Sequence, residues 1–310
     1  MTKHNLFFLF AVALSAVTAC TPTEKQLKDR ATELCRYIPD HELLTESRDH
    51  LTEDFYSVLD TMFNHLPDDE ELDHEWLYYF VTGNGGTIAD YEVQSVEKTD
   101  PTHAIATILV RQKWDDGSFD AATDIEEHCL YMECVRGKWL MADFDEHKAD
   151  CIRHIAIYRR DQAMREAMGD YLIREIGSQY MQGEFCVPTI IEVAQESNRF
   201  YCDCQVDWYK LIGDTLKGIS GGNHSGCMTL VEHEGAWQVT AFEQTIDGAR
   251  YEASAKHIFG KHYDIFCNIH SNHSIGETCR LMQLRKYVRS HRLNAYYYQD
   301  YGWPAKPIFE

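Results

Sequence analysis

The sequence predicts an α+β fold. It reads as two tandem domains, each a helix with a curved antiparallel sheet, followed by a C-terminal two-helix extension. Three observations predict this. Helical spacing of apolar residues gives way to strand alternation twice along the chain. Each alternating stretch is divided by short turn signals rather than helical crossovers, the mark of an antiparallel meander. Both meanders close on a similar hairpin: Gly137-Lys138-Trp139-Leu140-Met141-Ala142-Asp143-Phe144-Asp145 and Gly235-Ala236-Trp237-Gln238-Val239-Thr240-Ala241-Phe242-Glu243. Glycine, tryptophan, an inward aliphatic, phenylalanine and an acid recur at the same offsets, which reads as a short internal repeat.

The N-terminus comes first. Residues Met1 to Asn5 carry Lys3 and no acid, Leu6 to Leu14 is unbroken and apolar, and Val17-Thr18-Ala19-Cys20 follows. A charged start, a short apolar core and small residues before a cut site form a secretory signal, here 1–19. The apolar run falls short of the roughly 20 residues that span a bilayer. Val17-Thr18-Ala19-Cys20 resembles the lipobox of bacterial lipoproteins. The resemblance implies acylation of Cys20, a lipidated tether over 20–27 and the lipid bilayer as a partner. Thr21 stands where an aspartate would hold such a protein in the inner membrane, so outer-membrane sorting is expected, with the globular part periplasmic or surface-exposed.

The first domain is expected over 28–158. Lys28 to Ile38 has Ala31, Leu34, Cys35 and Ile38 on one helical face, and Pro39-Asp40 breaks it. Thr52 is an N-cap followed by Glu53 and Asp54, with Phe55, Val58, Leu59, Met62 and Phe63 as the buried stripe. Pro67, the acidic run Asp68 to Glu75 and Gly83-Asn84-Gly85-Gly86 read as loop. Strands follow near Tyr91–Val96, Ala104–Trp114, Ile125–Val135 and Trp139–Phe144, with Asp115-Asp116-Gly117 and Arg136-Gly137-Lys138 as turns. His147 to Tyr158 reads as a connecting helix.

The second domain is expected over 161–245. Asp161 caps a helix to about Gln182 with Met164, Met168, Tyr171, Leu172 and Ile176 inward. Phe185–Ala194 and Asn198–Tyr209 are strands, Ile212 to Gly226 is glycine-rich and loop-like, and Cys227–Glu232 pairs with Trp237–Phe242. The extension, 246–310, holds helices over Tyr251–His270 and Ile275–Arg292 and the aromatic run Tyr296 to Pro304. This order of elements, with its two tryptophan hairpins, resembles the NTF2-like or cystatin-like superfamilies, in which a curved sheet wraps a helix. That resemblance implies a fold and says little about activity. The Gln-x-Val-x-Gly inhibitory hairpin of secreted cystatins is missing.

Charge narrows the partners. The formal net charge is −21, and residues 161–310 hold 14 Lys and Arg against 19 Asp and Glu, so the excess acid lies in the first half. Such a surface repels nucleic acid, which is not expected as a partner, and anionic lipid heads. There are 11 cysteines. With Cys20 assigned to lipid, four remain in the first half and six in the second. Disulfides and buried thiols both stand as readings, with Cys204 and Cys227 the candidate cross-strand disulfide.

Chemistry-bearing constellations are sparse. Cys267, His270 and His273 lie three apart but straddle a helix end at Ser271-Asn272, and with His224 and Cys227 they match no zinc signature. Cys227 beside His224 lacks the basic neighbours a thiolate needs, apart from Lys217. No G-x-S-x-G, P-loop or H-E-x-x-H occurs, and no cofactor is expected. Glu126, Glu127, His128, Asp203 and Asp207 are candidate acid–base groups in a sheet-lined pocket; the plainer expectation is a solvated sheet face. Asp300, Tyr301 and Trp303 read either as a ligand groove or as a latch packing on the core. The whole points to a membrane-anchored envelope lipoprotein acting as a non-catalytic binding or assembly module, with an envelope protein as partner. A small acid–base enzyme is the alternative.

Overall fold

A computed structural model of the chain describes residues 22–38, 44–66, 86–114, 116–118 and 125–309. The signal, Cys20, Thr21, the Pro39-Asp40 break, the acidic run and the Gly83–Gly85 turn therefore lie outside the described residues. The described chain is α+β, with helices and largely antiparallel sheets. It divides into two compact units, Met1–Ile157 and Tyr158–Glu310. No helix among the described residues is long and apolar enough to cross a membrane.

In the first unit, α1 (Glu24–Leu34) starts earlier than the apolar spacing alone predicts. Thr23 and Gln26 form a reciprocal capping box that satisfies the first free N–H groups. Ala31, Leu34, Cys35 and Ile38 are all buried. After α2 (Leu44–Ser47), α3 (Glu53–Asp60) is capped by Thr52, whose hydroxyl accepts from Phe55 N at 3.3 Å, and α3 runs on as a π turn over Thr61–His65. The sheet is a four-stranded meander of β1 (Gly86–Lys98), β2 (His103–Trp114), β3 (Ile125–Val135) and β4 (Lys138–Phe144). Along β2, Ala104, Ala106, Ile108 and Val110 are buried and alternate with more open positions, so one face packs on the helices.

α4 (His147–Tyr171) passes through the division between units, where a connecting helix and a separate capped helix were expected. Cys151 and Ile155 enter the first core, and Met164 and Met168 the second. Asp161 is thus a mid-helix residue, paired with Arg160. A π turn over Leu172–Ile176 ends the helix.

The second unit contains β5 (Phe185–Glu196), β6 (Arg199–Ile212), β7 (Thr215–His233) and β8 (Ala236–Gln244), again an antiparallel meander. The expected glycine-rich loop is the first half of β7. Its glycines serve close packing: a Cβ at Gly226 would run into the Glu243 carbonyl, and one at Gly222 into the Tyr180 hydroxyl. Helices α5 (Tyr251–Phe259), α6 (Tyr263–Ser271) and α7 (His273–Ser290) follow, then short strands β9 (Tyr297–Gln299) and β10 (Lys306–Pro307). β9 pairs parallel with the start of β7. The extension therefore has three helices rather than two, because Gly260 (φ 51°) divides the first expected helix, while the break at Asn272 falls where expected.

This sheet is covered on both faces. Phe200, Cys202, Cys204 and Val206 pack with Met164, Met168, Leu172 and Ile176. On the other face, Tyr201, Val193 and Cys227 pack with α5 and α6, while Tyr209, Val187 and Leu216 pack with α7 and the tail. Between those two apolar footings the same face is polar.

The two closing hairpins agree beyond sequence. Arg136-Gly137 and Glu234-Gly235 have φ of 53° and 82°, and 52° and 80°. Positive φ at both central residues belongs to the type I′ turn, whose twist matches the strands. In each, one residue at the same offset, Ala142 or Thr240, is skipped by the ladder as a bulge.

Candidate functional site

The polar seam of the second unit assembles from alternate residues of two strands. Asp203, Gln205 and Asp207 of β6 and Asn223 and Ser225 of β7 share one face, because residues two apart on a strand point the same way. Above them stand His270 on α6 and Glu277 and Arg280 on α7. A cavity of about 220 Å³ lies here, lined by Asp203, Gln205, Asn223, His270, Glu277 and Arg280 among others. Asp203 and Asp207 are therefore not on the solvated face expected of them. Asp203 is only 7% exposed, because the extension roofs the sheet.

Asp203 is held from two sides. Ser225 Oγ donates to Asp203 Oδ1 at 2.7 Å, and His270 Nδ1 lies 2.9 Å from Oδ2. His270 Nε2 meets the Tyr251 hydroxyl of α5 at 3.1 Å. The result is a continuous chain Ser225–Asp203–His270–Tyr251, with the imidazole ring fixed at both nitrogens. Burial raises the Tyr251 phenol above its ordinary value, so it stays protonated and able to donate.

The other end of the seam centres on Arg280. Its Nε donates to the Tyr209 hydroxyl at 3.0 Å, and its two terminal nitrogens grip both oxygens of Asp300, one at 3.0 Å. Asp207 lies 3.7 Å away. Burial works against the Arg280 charge, but Asp300, Tyr209 and Asp207 overcome it and raise its pKa. Burial pushes the Asp207 carboxyl up, with Arg280 pulling back. Burial likewise raises the Glu277 carboxyl, and Lys306 at 2.5 Å and the Tyr298 hydroxyl outweigh it, so Glu277 ends below its ordinary value.

The remaining expected residues fall as follows. Asp300 ties the tail to Arg280 and lies at the edge of the seam. Tyr301 and Trp303 are 96% and 68% exposed and do not complete the core. The latch is Tyr298, 1% exposed, with Ala295 and Ile308. Cys204 and Cys227 are not partners. Cys204 faces His224 and Cys227 faces Tyr201 across the ladder. Three positions separate them along β7, an odd number, so their side chains enter opposite faces and different cores. The ten described cysteines are all free thiols. Cys267, His270 and His273 do not gather: His270 is committed to Asp203 and Tyr251, and His273 is exposed past the Asn272 break. No group of three or more His, Cys, Asp or Glu among the described residues is arranged to hold a metal.

In the first unit Glu126 and Glu127 are exposed, whereas His128 is 7% exposed on the packed face. Asp145 lies 2.5 Å from His128 Nδ1 and also accepts the Cys129 N–H at 2.6 Å. Burial alone would raise the Asp145 carboxyl; the His128 hydrogen bond and the Cys129 N–H outweigh it and set the pKa below the ordinary value. His128 Nε2 is buried without a hydrogen-bond partner among the described residues.

Sequence reasoning reached Asp203, Asp207 and His128 as residue types on strands. It missed Ser225, Tyr251, Glu277 and Arg280, whose roles come from a register and a helix roof that spacing does not encode.

No family model matches the chain, and no curated protein matches it. Among solved structures, it is similar to a chain described as an "Ntf2 like protein involved in plasmid conjugation", at 11% identity and a TM-score of 0.25, covering 72% of this chain and 98% of that one. A likeness of that size carries no functional argument.

Proposed function

We propose that this protein is a membrane-tethered lipoprotein of the cell envelope, acylated at Cys20 and sorted to the outer membrane, whose globular part is a non-catalytic binding or assembly module. Its two units are read as tandem NTF2-like or cystatin-like domains; the matching turn, bulge and inward residues of the two hairpins support that reading. The observation that carries the binding role is the polar cavity of about 220 Å³ between β6–β7 and α6–α7. Its ionisable groups are largely paired with one another, which presents fixed donors and acceptors rather than a free nucleophile. The bound species is an envelope protein segment or a small polar molecule that fits this cleft; the acid excess disfavours nucleic acid.

Gly276 offers the test. It lines the cavity, and a Cβ there meets open space. Gly276→Phe fills the cleft while keeping the helix. Acylated wild-type protein is expected to retain a partner from solubilised envelope that the variant does not. A partner held equally by both removes the cleft from the binding role.

A second reading, a small envelope enzyme, has one observation in its favour: Asp145 fixes the His128 ring, and Nε2, without a hydrogen bond among the described residues, lies 3.8 Å from the exposed Glu126 carboxylate, the arrangement of a positioned base. Under it, Asp145→Asn lowers turnover of a bound ligand while leaving capture intact.

A further inference from the structure

One corner of the first unit runs against its acidic character. Where the end of α1 meets β4, three nitrogen-bearing side chains come together. Arg30, on α1, is 15% exposed in its side chain. Its Nε donates to the Trp139 carbonyl at 2.8 Å, and NH1 pairs with Glu33 at 2.7 Å. Its third nitrogen, NH2, is buried and has no hydrogen-bond partner among the described residues. His50 stacks face to face on Tyr37, with ring centroids 3.5 Å apart, so its ring plane is set. His50 Nδ1 is also buried and unpartnered among the described residues. Lys138 Nζ donates to the Asp49 carbonyl at 2.7 Å, beside His50. That uses one of three ammonium hydrogens.

Two buried nitrogens without hydrogen-bond partners among the described residues, beside a lysine with hydrogens to spare, make an incomplete polar site. A buried donor left unpaired is costly, and an arginine cannot shed its charge. The electrostatics agree with the geometry. Burial, then the charges of Arg30 and Lys138, hold the His50 imidazole below its ordinary value, and Glu33 and Asp49 only partly offset them. The missing partner is therefore an anion.

Its shape follows from how Arg30 is used. A planar carboxylate is best recognised by both prongs of one guanidinium. Here Nε and NH1 are already committed, and only NH2 remains. Single donors from an arginine, an imidazole and an ammonium suit a tetrahedral oxyanion, whose oxygens point in separate directions. We propose that Arg30, His50 and Lys138 form a binding site for a phosphate-type oxyanion, either inorganic phosphate or the phosphate of a lipid head group. The lipid source rests on the tether reading. Thr23, the cap of α1, follows Cys20 by three residues, and the helix rises only about 9 Å from its start to Arg30. The site itself does not depend on that reading.

The experiment is a titration of the full, isotopically labelled chain with sodium phosphate at constant pH, against sodium chloride at matched ionic strength, read at the His50 ring by NMR. A saturable change in the His50 signals and an upward move of its pKa on saturation are expected, since a bound anion favours the imidazolium. Lys138→Gln, an exposed change that leaves the fold alone, is expected to weaken the apparent phosphate affinity about fivefold, and Arg30→Gln about tenfold. A second arm measures co-sedimentation with phosphatidylcholine vesicles with and without phosphatidic acid. Lys138-dependent binding to the phosphatidic acid vesicles assigns the head group as the source; a phosphate response without vesicle binding assigns the free ion. If neither arm gives a saturable response, or if Lys138→Gln and Arg30→Gln respond like the wild type, the site is refuted, whatever becomes of the anchor.

Discussion

Asp145 is the residue on which the first unit's polar chemistry turns. It accepts from the Cys129 backbone and holds His128 in one ring orientation, so a side chain that sequence reads only as the acid after a hairpin does two jobs. Its pKa lies below the ordinary aspartate value of 3.8, burial being outweighed by His128 and Cys129. A carboxyl depressed in the folded state stabilises that state at pH above the ordinary value and stops doing so as pH falls through the lower folded value. Stability is thus expected to decline on acidification below about pH 4, and Asp145→Asn to flatten that decline while lowering stability at pH 7 by about 2 kcal/mol. Urea melts of both proteins across pH 3 to 7 check this. Equal acid sensitivity in the two would remove Asp145 from the account. Tyr298 and Tyr301 show at the same scale what spacing leaves out. Both sit in one aromatic run, yet one is a core ring and the other faces water, because β9 pairs with β7 and turns Tyr298 inward, while Tyr301 lies beyond β9 in a turn.

At the scale of elements, the strands with turn chemistry at both ends were the most legible. β2, β3 and β4 begin and end within about a residue of expectation, since apolar alternation and a Gly-bearing turn act together. The capping of α3 by Thr52 was legible for the same reason: one side chain and one N–H settle it. Elements fixed by distant contacts were not. β7 looked like a loop because glycine lowers strand propensity, whereas here the neighbouring strand and Tyr180 come too close for a side chain. Asp161 has the chemistry of a cap and predicts a break that α4 does not have, since nothing local says that a helix will serve two cores. Two glycine substitutions of opposite sign test this. Gly226→Ala forces a Cβ against the Glu243 carbonyl and is expected to destabilise by about 1–3 kcal/mol. Gly276→Ala, at the end of the first turn of α7 with open space around it, is expected to stabilise by up to about 1 kcal/mol. Denaturant midpoints of the pair decide it, and a stabilising Gly226→Ala would return that stretch to a loose connection.

For the molecule as a whole, the cleft and the anchor make separate demands. The polar seam exists because the extension after β8 roofs a sheet that spacing alone presents as half solvated, which is why the residue types were visible beforehand and the site was not. The proposed anchor is the reverse: the reading rests on local sequence and owes nothing to packing. Under the lipoprotein reading proposed above, Lys3, the apolar run and Cys20 act before folding; no described helix is long and apolar enough to cross a membrane. Attachment should therefore depend on one sulfur. Several acyl chains, at about 0.8 kcal/mol per buried CH₂, hold a protein to membrane through salt and high-pH washes, whereas the overall acid excess works against anionic lipid and a single phosphate contact at Arg30, His50 and Lys138 does not take their place. Cys20→Ala is expected to move the protein from the membrane to the soluble fraction and to abolish incorporation of labelled fatty acid. The melting behaviour of the globular part should stay unchanged, because the tether precedes the Thr23 cap. Retention of the variant on washed membranes would show that a protein partner, not lipid, holds the chain there, and attention would pass to the exposed Tyr301 and Trp303.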